Sequence, residues 1–129
     1  TLTATEANQP HVDFGSYPPY KSNSPVQDVL VEKPVALVRL HGEHNQQGGW
    51  FARRQDVEGL TPFQLKDKFG LKSEPSYISD VYVPAGERLR VGVAEPQPQW
   101  GARGEGLQFE LLGKRELPLS AYQNKRPLK

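Results

Sequence analysis

A chain of 129 residues offers material for one hydrophobic core. Its formal charge of +1 gives no general attraction to nucleic acid or to an anionic membrane, and the absence of cysteine excludes a disulfide framework and a thiolate metal site. Twelve prolines and twelve glycines beside 36% hydrophobic residues argue against a helix bundle and for short strands joined by many turns. No apolar run approaches the roughly 18 residues of a membrane span. With no methionine, the chain is expected to be part of a longer protein.

In chain order, residues 1–25 read as an extended N-terminal arm or linker, punctuated by Pro10, Pro18, Pro19 and Pro25. Tyr17 and Tyr20 are its candidate docking points, and His11 lies within it. Residues 26–129 read as one catalytic domain. A strand over 26–31 is followed by Val35–Leu40, which is apolar on both faces and so is expected to be central. A polar loop leads to Gly48-Gly49 and Trp50. Thr61, Pro62 and Gln64 have the spacing of a capping box, with Leu60 as staple and Gly70 as stop, which predicts a helix of about two turns. Strands are predicted at Ile78–Val83 and Arg88–Val93, around a turn at Pro84–Glu87. Gly101, Gly104 and Gly106 precede a strand rather than a helix, so they do not form a helix-borne phosphate loop; a hairpin turn and a mobile loop over a substrate are the two readings. Leu107, Phe109 and Leu111 alternate with Gln108 and Glu110, so the latter pair share the opposite face.

That face supports two readings. One is the wet side of an ordinary amphipathic strand. The other is a carboxamide and a carboxylate at a cleft, suited to gripping ribose hydroxyls and stabilising the cation formed as a base departs. Arg39, inside an apolar strand, is either a snorkelling or ion-paired side chain, with Glu110 a candidate partner, or a fork for phosphate. His41 is a candidate acid–base group. His41 and His44 have no third ligand spaced for a metal, and none is expected. Arg53 and Arg54 point to opposite sides of an extended chain. Trp50 and Trp100 are core-edge residues or stacking surfaces for a flat ring.

From Val35 to Leu128 the chain resembles the C-terminal toxin domains of bacterial contact-dependent growth inhibition and filamentous-haemagglutinin-type proteins. The resemblance runs through Val38-Arg39-Leu40-His41-Gly42, Gly59-Leu60-Thr61-Pro62, Tyr77-Ile78-Ser79-Asp80-Val81 and Gln108-Phe109-Glu110-Leu111. The stretch Gly104 to Phe109 is similar to the glycine loop and Gln-aromatic strand of the tuberculosis-necrotising-toxin family of NAD glycohydrolases, which implies Gln108 as the catalytic glutamine. Asp67-Lys68-Phe69-Gly70 departs at Lys68 from that family's Asp-Arg-aromatic-Gly motif. Arg39, Ser79 and Gln108-x-Glu110 also follow the order of the ADP-ribosyltransferase-like toxins.

The resemblance implies an α+β fold: a small, split, strongly bent and mainly antiparallel β-structure with one or two short helices. It implies cleavage of NAD at the nicotinamide–ribose bond, with Gln108, Arg39 and Glu110 catalytic. Arg53, Lys68, Tyr77, Ser79, Trp50, Trp100 and His41 would bind substrate. NAD is then the substrate and no cofactor is expected. A cognate immunity protein is the expected partner; the expected route is export on a larger parent protein, with action in the cytoplasm of a target cell. The rival enzymes are an ADP-ribosyltransferase and a ribonuclease toxin cutting tRNA, the latter using His41 or His44 with Arg53 or Lys68 and the basic tail. The non-enzymatic rival is a binding or adhesion module.

Overall fold

The computed structural model describes all residues 1–129. It is an α+β domain of two antiparallel sheets and two short helices. In chain order these are α1 (Ala4–Asp13), β1 (Gln27–Leu30), β2 (Val35–His41), β3 (Trp50–Phe51), α2 (Pro62–Phe69), β4 (Tyr77–Val83), β5 (Arg88–Val93), β6 (Leu107–Leu111) and β7 (Tyr122–Pro127). One sheet has the order β1-β5-β6-β3 and the other β2-β4-β7. Backbone hydrogen bonds between Val38 and Ala52, at 2.8 and 2.9 Å, tie the two sheets together. No helix is long and apolar enough to cross a membrane.

The alternation in the sequence explains the core. Phe51, Leu89 and Leu111 of one sheet meet Leu37, Val81 and Val83 of the other. A second cluster joins Val38 and Ile78 to Leu65 and Phe69 of α2. Helix α2 begins and ends where its capping residues predict: the Thr61 side chain accepts from Gln64 N, the Gln64 side chain accepts from Thr61 N, and Gly70 closes it at φ +63°. Leu37 and Val38 face different clusters, so β2 is buried on both sides at its middle. It is nevertheless not the central strand of its sheet. That position belongs to β4, and Val35 and Ala36 at the start of β2 are exposed.

Residues 1–25 are not an extended arm. Thr3 and Glu6 form a second capping box and start α1, which carries Pro10 in its last turns. Ala4, Ala7, Tyr20 and Val26 form a third buried cluster, with Trp50 packed against it. Asn8 clamps the segment on itself: its Nδ2 donates to Tyr20 O at 2.9 Å and its Oδ1 accepts from Tyr20 N at 2.8 Å. The glycine run is not a mobile cover either. Gly104 N and Gly106 N donate to the carbonyls of Asp67 and Lys68 at 2.7 and 2.8 Å. A Cβ on Gly106 would sit 2.8 Å from that Lys68 oxygen, so only glycine permits this close approach to the end of α2.

Candidate active site

The two sheets and the N-terminal segment enclose a cleft of about 700 Å³, within the usual range of about 300–1,000 Å³ for ligand sites. Of the residues singled out from the sequence, Arg39 and His41 of β2, Trp50 of β3, Gln108 of β6 and Trp100 on the turn before β6 all line it.

Arg39 reaches the cleft from β2, between buried Val38 and half-buried Leu40. Its guanidinium donates to three carbonyls, those of Gln46 (3.2 Å), Trp50 (3.3 Å) and Asn45 (3.2 Å). Gly48 lies flat against it, and a Cβ there would come within 2.3 Å of the guanidinium carbon. No carboxylate pairs with Arg39; burial destabilises its charged form, with only partial relief from Tyr122 and Glu116. The guanidinium thus has neutral partners only and keeps spare N–H groups on Nη1 and Nη2. The ion pair with Glu110 expected as one alternative does not form.

Gln108 faces the same cleft and is 8% exposed. Its Nε2 donates to Pro19 O at 2.8 Å. A backbone carbonyl can only accept, so the amide has one orientation, and its Oε1 has no protein partner and is not shut away from solvent. The shared strand face of Gln108 and Glu110 is thus covered by the N-terminal segment, not open to solvent. Glu110 lies beneath the cleft wall. Its Oε1 accepts from Tyr20 OH at 2.7 Å and its Oε2 from His11 Nε2 at 2.9 Å. Burial, then the Glu110 carboxylate, pushes Tyr20 ionisation far up, so the phenol remains a donor.

His41 is buried with both ring nitrogens engaged. Nδ1 donates to Gly42 O at 2.7 Å, so Nε2 accepts from Ser79 Oγ at 2.7 Å. Ser79 is fully buried and also accepts from Gln46 Nε2 at 3.1 Å. It acts by holding His41 and does not reach the cleft. Burial holds His41 protonation below the ordinary 6.5, and Arg39 and Lys125 push the same way against the Gly42 carbonyl. The unfolded chain therefore binds the proton more readily, so stability should fall as pH drops below about 6.5. Melting temperatures between pH 7.5 and 5.5 should show a shallower slope in His41→Gln than in the parent; equal slopes would disprove the assignment.

The remaining expectations are corrected by geometry. Arg53 turns to Asp56 (2.8 Å), and Lys68 Nζ donates to Asp56 O (2.7 Å), away from the cleft. Tyr77 stacks against His41, ring centres 6.0 Å apart, with Lys125 Nζ 4.4 Å from the centre of its ring. Tyr17 and His11, assigned from the sequence only to the N-terminal arm, also line the cleft. Tyr17 sits edge-on to Trp100 at 5.3 Å, and His11 lies against Trp50 at 5.6 Å. No group of three or more His, Asp or Glu side chains is arranged to hold a metal ion.

The class defined by these features is a small two-sheet α+β domain with an aromatic-flanked cleft carrying one carbonyl-bound arginine and one oriented glutamine. Among solved structures, Tne2 in complex with Tni2 is similar to it in fold: the TM-score is 0.66 at 16% sequence identity, over 84% of this chain and 97% of that one. No protein-family model and no curated protein matches the chain.

Proposed function

We propose that the domain binds NAD in this cleft and cleaves it at the nicotinamide–ribose bond, as a glycohydrolase. The observation that carries this reading is the presence in one cleft of Arg39, charged and without a carboxylate partner, and Gln108, whose carbonyl end has no protein partner. Arg39 would fork onto the pyrophosphate. The Gln108 Oε1 dipole would accept from a ribose hydroxyl and stabilise positive charge growing at C1′. Trp50, Trp100 or Tyr17 would stack on the nicotinamide ring.

The biological setting is part of the same proposal. The likeness of Val35–Leu128 to bacterial toxin domains, and the neighbouring fold of Tne2 captured with a partner protein, support a toxin neutralised by a cognate immunity protein that covers the cleft. Export on a larger parent protein would deliver it to NAD in a target cell's cytoplasm.

Gln108→Ala tests the chemistry. Pro19 O keeps a second donor, Glu95 N at 2.9 Å, so the variant should lose only about 1 kcal/mol of stability. Nicotinamide release, followed by chromatography, should fall about 10²–10³-fold. A folded variant that releases nicotinamide at the parent rate would refute the assigned role.

A further inference from the structure

We infer that His11 is the general base that deprotonates the attacking water, with Glu110 as the positioning residue that fixes its ring; this rests on the cleft being the site of NAD hydrolysis. Helix α1 brings His11 to the cleft wall, where its side chain is 25% exposed and packs on Trp50. Its one protein hydrogen bond is from Nε2 to Glu110 Oε2, at 2.9 Å. A carboxylate accepts, so Nε2 carries a proton, and the neutral tautomer that this bond selects has its lone pair on Nδ1, which has no protein partner. Glu110 has both oxygens engaged, by His11 and by Tyr20, and it does not line the cleft. It acts through His11.

The other titratable groups on the cleft are less suited to this task. His41 has both nitrogens occupied. Glu95 accepts from Ser22 N and Oγ at 3.0 and 3.3 Å. Glu74 is exposed on the loop after α2.

The reaction needs one base and no acid. Water oxygen bonds to C1′ of the ribose as the C1′–N1 bond breaks. The bonding pair leaves with nicotinamide and cancels the pyridinium charge, so the leaving group requires no proton. The surplus proton of the attacking water passes to His11 Nδ1 and then to solvent. The products are nicotinamide and ADP-ribose.

The experiment uses the full chain, NAD as substrate, and the variants His11→Ala, His11→Phe and Glu110→Gln. His11→Phe keeps an aromatic ring against Trp50, so a folding defect in His11→Ala does not decide the outcome. Nicotinamide release should fall about 10²–10⁴-fold in kcat for both His11 variants, with KM changed by less than about threefold, and by a smaller factor for Glu110→Gln. Sodium azide, which needs no deprotonation to attack, should restore nicotinamide release in His11→Ala and yield ADP-ribosyl azide by mass spectrometry. A folded His11 variant with the parent rate overturns the inference while leaving NAD hydrolysis standing. Loss of rate that azide does not restore makes His11 a binding or structural residue and also overturns it. If the parent chain releases no nicotinamide, the NAD reading falls and the inference with it.

Discussion

Alanine in place of Arg39 is expected to lower kcat/KM for nicotinamide release by about 10²–10³-fold, chiefly through a raised KM. Two charge-assisted bonds from a guanidinium to a pyrophosphate, at about 1.5–3 kcal/mol each, account for a loss of that size. Interactions made equally with substrate and transition state appear in KM. Arg39→Lys keeps the charge without the planar fork and should recover only part of the loss. The alanine variant should also be destabilised by about 1–3 kcal/mol, because the carbonyls of Asn45, Gln46 and Trp50 lose their shared donor. Initial-rate kinetics and urea unfolding read the two effects separately. An alanine variant with parental kinetics would remove the anion site from the account.

Alanine in place of Tyr20 should destabilise the fold by about 3–5 kcal/mol, the range for deleting a fully buried large side chain. Tyr20 has no exposed surface, packs on Trp50 at 5.9 Å, and leaves no room for a Cβ on Gly92, which would lie 2.6 Å from its ring. Its hydroxyl also carries one end of Glu110. Tyr20→Phe isolates that last contribution: it should cost about 1 kcal/mol while keeping the packing. Chemical denaturation measures both. If Tyr20→Ala unfolds at the parental midpoint, the N-terminal segment is a dispensable appendage and the docked arrangement is wrong.

The parts of the fold governed by local rules were legible. Helix α2 has its staple, start and stop between Leu60 and Gly70, and the strand at Leu107–Leu111 announces itself by period-two alternation. α1 is masked by Pro10 within it and by Gly15, Pro18 and Pro19 just after it, although Thr3-x-x-Glu6 is the same capping box. With that helix recognised, Ala4, Ala7, Asn8 and His11 fall on one face at i, i+3, i+4 and i+7, and His11 becomes a candidate for the interior. Its partner Glu110 is 99 residues away, a pairing that no local pattern encodes. The same reason explains the misreading of Arg53 and Lys68, whose nearest acceptors lie on the Arg54–Asp56 turn. Arg39 and Gln108, which both line the cleft, are legible because an arginine in an apolar strand and an amide beside a glycine loop stand out against their own neighbours.

Incubation of the purified chain with NAD, and separately with total tRNA, tests the central claim most directly. The account predicts equal amounts of nicotinamide and ADP-ribose from the first reaction and intact tRNA from the second. NAD left whole, with tRNA cut or with both substrates untouched, would contradict it.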